Sequence, residues 1–176
     1  MRKLLNSELK RKTIEEFQSC NKMPLIVVLD NIRSQHNIGA IFRTSDAFLV
    51  EAIYLCGITA TPPNNEIHKS ALGAENSVQW KYFKQTEEAF SILKTNGYKI
   101  VSVEQAENST KLHNLQLNTS EKYAIVLGNE VKGIDQALVS DSDLCLEIDQ
   151  HGTKHSLNVS ISAGIVIWEF FKQLNK

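Results

Sequence analysis

The chain has 176 residues, of which 42% are hydrophobic and 22% charged, as in a single globular domain with a substantial core. A formal net charge of −1 excludes a global attraction to nucleic acid, so any basic face must be local. The three cysteines are widely spaced and lack a C-x-x-C pair, and neither a signal peptide nor an apolar run of membrane-spanning length is found. We therefore expect a cytoplasmic protein.

The N-terminal residues 1–22 are expected to form a short basic extension ahead of one domain over residues 23–176. Hydrophobic spacing predicts a helix over residues 3–20. Its inward positions would be Leu5, Leu9 and Phe17, and its outward positions Lys10, Arg11 and Lys12. The basic run is either a solvated helix face or a contact for RNA phosphates.

The first strand and helix of the domain follow the extension. The continuous apolar run Leu25-Ile-Val-Val-Leu29 predicts a strand buried on both faces. The next helix is predicted to begin at Asn37 as its N-cap, and Arg43 lies two turns later beside its apolar face. Because Arg is rarely buried without an anionic partner, Arg43 either pairs with Asp30 or Glu130, or contacts an anion or substrate.

The rest of the chain alternates strands with helices. Further strands are predicted at residues 52–56, 78–83, 98–103, 123–127 and 144–148. Helices are predicted at residues 66–72, 86–95 and 134–139, with a long apolar helix over residues 157–171. This alternation predicts an α/β fold with a mostly parallel sheet flanked by helices.

A glycine-rich loop, Gly128-Asn-Glu-Val-Lys-Gly133, follows the predicted strand that ends at Leu127. Ligands of parallel α/β sheets bind beyond the carboxyl ends of the strands, and glycine lets the backbone approach a ligand closely. The loop is neither G-x-G-x-x-G nor a P-loop, which disfavours a dehydrogenase or an NTPase.

A third stretch, His151-Gly-Thr-Lys-His-Ser-Leu-Asn-Val-Ser160, leads into the terminal helix, with Ser156 as the predicted N-cap. Asn158 would lie in the first turn of that helix, where its amide must be satisfied structurally or belong to a site. His151 and His155 stand four residues apart, but Gly152 disfavours a helix there and no third ligand is evident, so no metal is expected. The absence of G-x-S-x-G disfavours a hydrolase.

Three motifs in this order resemble the SpoU (TrmH-like) family of RNA ribose 2′-O-methyltransferases, of the SPOUT class. The first is Asn37-Ile-Gly-Ala-Ile-Phe-Arg-Thr44, matching N-x-G-A-I-x-R-T. The second is Leu127-Gly-Asn-Glu-Val-Lys-Gly133, matching L-G-N-E-x-x-G. The third is Ser156-Leu-Asn-Val-Ser-Ile-Ser162, resembling S-L-N-V-x-V-S. The resemblance covers about residues 24–172.

The resemblance implies a SPOUT methyltransferase domain over residues 23–176, with a deep trefoil knot in its C-terminal part. Knots are very rare, so hydrophobic patterns alone would not predict one. The second and third motifs would bind S-adenosylmethionine. The residues implied to contact this cofactor are Gly128, Ile148, Leu157, Ser156 and Glu104.

The resemblance also implies the catalytic residues. Arg43 would act on the ribose 2′-hydroxyl, and because Arg stays protonated it would stabilise the developing alkoxide. The other implied catalytic residues are Asn37, Glu130, Ser156 and Asn158. Family members complete the site across a homodimer, so the terminal helix and Trp168 are expected to pack on a second copy.

The RNA substrate is suggested by a departure from the common family pattern, Ile148-Asp-Gln150 in place of Ile-Pro-Met. Gln150-His-Gly152, Glu104-Gln105 and Ser109 instead resemble the TARBP1-type branch, which methylates guanosine 18 of tRNA. We expect tRNA as the substrate, held by Lys10, Arg11, Lys12 and Arg43. A ribosomal RNA methyltransferase and a catalytically idle RNA-binding homologue are the alternatives.

Overall fold

A parallel sheet of seven strands forms the centre of the computed structural model, which describes residues 1–175. The strands are β1 (Met23–Asp30), β2 (Val50–Cys56), β3 (Gln79–Phe83), β4 (Tyr98–Val103), β5 (Thr110–Lys111), β6 (Lys122–Leu127) and β7 (Leu144–Glu147). Their order across the sheet is β3-β2-β1-β6-β4-β7-β5, and every pairing is parallel. The α/β fold predicted from the sequence is confirmed, whereas the knot stays a prediction.

Within residues 1–175, seven α-helices cover the two faces of the sheet. They are α1 (Ile14–Ser19), α2 (Gln35–Ala47), α3 (Asn65–Ala71), α4 (Ala74–Ser77), α5 (Thr86–Thr95), α6 (Gln136–Asp141) and α7 (Val159–Leu174). Two 3-10 turns lie at Asn6–Glu8 and Leu112–Asn114. Within the described part of the chain, no helix is long and apolar enough to cross a membrane.

The continuous apolar run of β1 is explained by burial on both faces of the sheet. Leu25, Val27 and Leu29 belong to one core cluster, together with apolar residues of α2 and α7. Ile26 and Val28 point to the opposite face and join a second cluster with residues of α5 and α6. A strand at the centre of a parallel sheet needs apolar side chains at every position for this reason.

The strand order places a topological switch at the middle of the sheet. From β1 the chain builds outwards through β2 and β3, whereas β4, β7 and β5 lie on the other side of β6. β1 and β6 are neighbours in parallel register, with Leu29 opposite Leu127. The segments that leave β1, β6, β4 and β7 therefore emerge at one edge, where α/β sheets bind their ligands.

The single helix predicted over residues 3–20 is wrong. Residues 6–8 form a 3-10 turn, and α1 begins only after a capping box between Thr13 and Glu16. Lys10 has a φ of 45°, a left-handed conformation that interrupts a helix. Phe17 is buried as expected, but Leu5 and Leu9 are exposed. The basic run thus precedes the helix, and the domain boundary at residue 22 stays a prediction.

Candidate active site

A cleft of about 630 Å³ lies at the carboxyl edge of the sheet. We call it the motif cleft. It is lined by the segments that follow β4, β6 and β7 and by the residues that lead into α7. Seven of the predicted site residues line it, namely Glu104, Gly128, Glu130, Ile148, Ser156, Leu157 and Asn158. The second and third motifs, separated in the sequence, therefore form one concave surface.

The loop after β6 is closed by its own hydrogen bonds. The Gly133 N–H donates to the Asn129 carbonyl at 2.8 Å, and the Asn129 side-chain oxygen accepts from the N–H groups of Val131 and Lys132. A Cβ on Gly128 would lie 2.4 Å from the Gly133 carbonyl carbon. Gly128 is thus required because the two ends of the loop, at Gly128 and Gly133, lie in close contact. The sequence had suggested only a close approach to a ligand.

Glu130 joins this loop to the start of α2. Its carboxylate accepts hydrogen bonds from the backbone N–H groups of Arg33 (2.9 Å) and Ser34 (3.0 Å) and from the Asn37 amide (2.9 Å). Burial alone would raise the pKa of Glu130, but these hydrogen bonds outweigh it and hold the pKa below its usual range. Glu130 is therefore an ionised anchor that fixes the Asn37 side chain.

Asn158 connects the same network to α7. Its amide nitrogen donates to the Asn37 side-chain oxygen at 3.1 Å, and its own oxygen accepts from the Ser160 N–H at 2.9 Å. Asn158 is the N-cap of α7, so the prediction of Ser156 as N-cap is wrong. The sequence predicted that the Asn158 amide is either satisfied structurally or part of a site, and it is both. Its oxygen caps α7, and its nitrogen bonds to Asn37.

The helix that carries the first motif begins about one turn earlier than predicted. Ser34 is the N-cap of α2, and its hydroxyl accepts from the Asn37 N–H at 3.3 Å, so Asn37 lies inside the helix. Its side chain is consequently free to bridge Glu130 and Asn158. The prediction of Asn37 as the N-cap is wrong.

Glu104 holds the opposite wall of the motif cleft. Its carboxylate oxygens accept from the backbone N–H groups of Ile134 (3.1 Å) and Gln105 (2.9 Å). The Gln105 amide in turn donates to the His155 carbonyl at 2.7 Å, which attaches the loop before α7 to the end of β4. The structural roles of Asn129 and Gln105 were missed, although both stand directly beside predicted site residues in the sequence.

Arg43 does not line the motif cleft. Its side chain is exposed and takes part in none of the ion pairs found within residues 1–175. The proposed structural pair with Asp30 or Glu130 is therefore wrong. Arg43 lines a second cleft, of about 650 Å³, together with the other predicted RNA contacts, Lys10, Arg11 and Lys12. We call this the N-terminal cleft.

The two loop histidines do not meet a third ligand. His151 and His155 are both exposed, and Gly152 lies between them in a segment without regular structure. Asp149, next to them in the sequence, instead contacts Lys111 at 3.4 Å and His113 at 3.0 Å. Among the residues that the structure describes, no group of three His, Cys, Asp or Glu could hold a metal ion.

The chain resembles known proteins over most of its length. The model of the SpoU rRNA Methylase family matches residues 24–168. The 23S rRNA (guanosine-2′-O-)-methyltransferase RlmB of Neisseria meningitidis is 31% identical over 89% of this chain and 62% of that protein. The tRNA (guanosine(18)-2′-O)-methyltransferase TARBP1 of Mus musculus is 32% identical over 85% of this chain and 9% of that protein.

A solved structure shows the same architecture. The crystal structure of an AdoMet-bound rRNA methyltransferase from Sinorhizobium meliloti has a TM-score of 0.80 and 26% sequence identity. The match covers 88% of this chain and 58% of that chain. The chain spans 62% to 64% of the length of three curated relatives that it matches.

Proposed function

Because the chain belongs to the SpoU rRNA methylase family, we propose that it is an S-adenosylmethionine-dependent RNA ribose 2′-O-methyltransferase. The observation that carries this proposal is the motif cleft. It lies at the carboxyl edge of a parallel sheet and is lined by residues of the second and third motifs. Asn37 of the first motif is connected to this cleft by its hydrogen bonds with Glu130 and Asn158.

The residues of the motif cleft fit S-adenosylmethionine. A volume of about 630 Å³ lies within the range of small-molecule sites. Leu127, Ile134 and Ile148 offer apolar walls suited to an adenine ring. Gly128, Ile148, Leu157, Ser156 and Glu104 are the residues that would hold the cofactor. When bound, the cofactor supplies an electrophilic methyl group on a sulfonium.

Arg43 is proposed to act at the ribose. Its guanidinium stays protonated, so it cannot serve as a general base. It can donate hydrogen bonds to the 2′-oxygen and stabilise the negative charge that develops there as this oxygen attacks the methyl group. The hydroxyl proton then passes to a phosphate of the RNA or to water.

Asn37, Glu130, Ser156 and Asn158 are proposed to shape the place where the ribose is held. Glu130 accepts a hydrogen bond from the Asn37 amide nitrogen. Asn158 donates one to the Asn37 side-chain oxygen, which links that side chain to the start of α7. Ser156 lies exposed at the wall of the motif cleft, where its hydroxyl can contact the cofactor or the RNA. This network leaves the motif cleft preorganised before substrate binds.

A homodimer is proposed to complete the site. Ile161, Ile165 and Trp168 lie on one exposed face of α7, and an apolar stripe of this kind marks a protein interface. The Trp168 ring also packs on Phe48, which follows α2, the helix that carries Arg43. Since Arg43 does not line the motif cleft of its own chain, a second copy could present Arg43 to that cleft.

The RNA substrate is proposed to be tRNA, with guanosine 18 as the specific target. The motif details Gln150-His-Gly152 and Glu104-Gln105 support the tRNA branch, and TARBP1 is among the relatives. Lys10, Arg11, Lys12 and Arg43 would contact its phosphates, because they line one cleft. Ribosomal RNA is the second candidate, since RlmB is a relative of similar identity.

The deciding experiment is methyl transfer from labelled S-adenosylmethionine to unmodified tRNA transcripts and to ribosomal RNA fragments. Wild-type protein is compared with Arg43→Ala. We expect label on the ribose of tRNA, mapped to one nucleotide, and its loss in the variant. Circular dichroism and cofactor binding of Arg43→Ala should match the wild type, because Arg43 is exposed and unpaired with any described carboxylate.

The other outcomes each contradict a separate part of the proposal. Label on ribosomal RNA alone retains the chemistry and refutes tRNA. Full activity of Arg43→Ala refutes the role of Arg43. Binding of RNA and cofactor without transfer to either RNA indicates an idle RNA-binding homologue.

A further inference from the structure

The N-terminal cleft has two kinds of lining. It is formed by residues 10–14 and Phe17, by α2 with Leu49 after it, and by the junction between α3 and α4. Four cationic side chains line it, namely Lys10, Arg11, Lys12 and Arg43. The other lining residues include the apolar side chains of Ile14, Leu49 and Leu72.

The cationic side chains of this cleft are not neutralised by the fold. None of the four takes part in an ion pair found within residues 1–175. The cleft contains one carboxylate, Asp46, and this group accepts a hydrogen bond from the Ser77 hydroxyl at 2.5 Å. In a chain whose net charge is −1, such a local excess of positive charge favours an anionic ligand.

Two large apolar side chains of the cleft, Ile14 and Leu72, are exposed to solvent. Leu72 is 65% exposed and Ile14 is also exposed. Leu72 ends α3 with a φ of 53°, a left-handed conformation that is sterically costly for leucine and that Gly or Asn adopts more readily. An exposed, strained leucine beside four cations fits a ligand that is apolar on one part and anionic on another.

We propose that the N-terminal cleft binds an unstacked nucleotide of the RNA substrate. Its base lies against Ile14 and Leu72, and its flanking phosphates contact Lys10, Arg11, Lys12 and Arg43. Proteins bind single-stranded RNA by packing unstacked bases on side chains, most often aromatic ones, and by holding the backbone with cations. In this cleft the aliphatic side chains of Ile14 and Leu72 would take the place of the aromatic ring. The inference rests on the proposed function and deepens it, because it assigns the substrate to an unpaired loop rather than a duplex.

The position of Arg43 supports a continuous RNA path. Arg43 and Asn37 lie six residues apart in α2, which is about 9 Å along a helix axis. Asn37 belongs to the network at the motif cleft, and Arg43 lines the N-terminal cleft. In the proposed dimer, an RNA strand bound in the N-terminal cleft of one chain therefore lies beside the Arg43 that this chain presents to the motif cleft of its partner.

The test measures binding of a fluorescently labelled, unstructured 12-nucleotide RNA by anisotropy. Leu72→Asn removes the apolar side chain but suits the left-handed backbone, so the variant should fold. We expect its Kd to rise roughly three- to tenfold, because the base no longer buries apolar surface against the leucine side chain. Ile58→Asn is the matched control, because Ile58 is 66% exposed and lies outside the cleft, and its Kd should not change.

Two further measurements distinguish the contribution of base contacts to binding from that of phosphate contacts. On a 12-nucleotide RNA backbone without bases, Leu72→Asn and wild type should bind equally. Lys12→Gln should weaken binding to both RNAs and lower the slope of log K against log salt by about 0.7, the value for one phosphate contact on a single strand. Equal effects of Leu72→Asn on both RNAs would overturn the proposed base contact.

The remaining outcomes are distinct from a failure of the proposed function. If wild type binds S-adenosylmethionine and methylates RNA while Leu72→Asn binds RNA unchanged, the inference is wrong and the function stands. If Leu72→Asn converts a dimer to a monomer in light scattering, a second copy covers the cleft and the inference is wrong. If wild type binds neither the cofactor nor RNA, the proposed function itself fails.

Discussion

The Asn158 amide nitrogen donates a hydrogen bond to the Asn37 side-chain oxygen at 3.1 Å, across 121 residues of sequence. This contact joins the first turn of α2 to the N-cap of α7. The Asn37 amide nitrogen donates onwards to Glu130, so one chain of hydrogen bonds passes through a residue of each motif. Side-chain hydrogen bonds thereby link the three motifs directly.

The first prediction separates the two functions of Asn158. Asn158→Ser retains an oxygen that caps α7 but removes the amide that donates to Asn37. We expect unchanged thermal stability and a methyl-transfer rate lowered roughly three- to tenfold, since one hydrogen bond contributes about 1 kcal/mol. Asn158→Ala also loses the cap, which costs about 1 kcal/mol and lowers Tm by about 2–4 °C. Wild-type activity in Asn158→Ser would show that the bond to Asn37 does not position the site.

All the described strands except the two-residue β5, and the helices α2, α3, α5, α6 and α7, could be predicted from the sequence because burial determines them. The run from Leu25 to Leu29 is apolar at each position since both faces of β1 are covered. In α2, Ile38, Ile41, Phe42 and Ser45 recur at helical spacing and are all buried, whereas Phe48, at the same spacing, is the half-buried C-cap. In each case the pattern reports a local geometry of period two or 3.6.

The two errors at helix N-caps occurred where two nearby residues are equally suited to cap the helix and a distant contact accompanies the choice between them. Ser156 and Asn158 are both good N-caps, and the bond from Asn158 to Asn37 accompanies the use of Asn158. Ser34 likewise caps α2 in place of Asn37, whose side chain is engaged by Glu130. Hydrophobic spacing cannot supply contacts over such separations, so the site itself was predicted only from the resemblance of the motifs.

A second prediction concerns the charge of Glu130. Glutamine has a single acceptor oxygen where the carboxylate accepts from Arg33, Ser34 and Asn37, so Glu130→Gln should lower the free energy of unfolding by about 1–3 kcal/mol at pH 7. Because the folded state lowers the pKa of Glu130, its contribution is complete above the ordinary value near 4.5. That contribution is lost as pH falls through the lower folded pKa.

Urea unfolding at pH 7 and at about pH 3 measures this dependence. The difference between wild type and Glu130→Gln should shrink at the acidic pH. Glu107→Gln is the control, because Glu107 is exposed and should give no difference at either pH. A difference for Glu130→Gln that is the same at both pH values would mean that its carboxylate charge does not stabilise the fold.

A third prediction tests the closed loop after β6. In Gly128→Ala the new Cβ would meet backbone atoms of Gly133 and Ile134 at 2.4 Å and 2.5 Å, which forces the loop open. We expect a loss of about 1–3 kcal/mol and weaker S-adenosylmethionine binding in calorimetry. Gly152→Ala is the matched control, because nothing lies within 4 Å of its added Cβ. Unaltered cofactor binding by Gly128→Ala would show that the loop does not form the cofactor site.

The last prediction joins oligomeric state to catalysis. Ile161 lies on the exposed apolar face of α7 with Ile165 and Trp168, so a charge at Ile161 would be costly inside a dimer interface and harmless in a monomer. Light scattering should report a dimer for wild type and a monomer for Ile161→Glu. Ile92→Glu on α5, another exposed isoleucine, should remain dimeric.

Activity then shows which chain supplies Arg43. Since the motif cleft of one chain lacks its own Arg43, monomeric Ile161→Glu should bind S-adenosylmethionine like wild type but transfer no methyl group. Adding excess Arg43→Ala to Ile161→Glu should not restore transfer, because Ile161→Glu is not expected to associate with a second copy. A monomeric and fully active Ile161→Glu would mean that Arg43 reaches the ribose within its own chain, whereas a monomeric wild type would mean that the α7 stripe is not a dimer face.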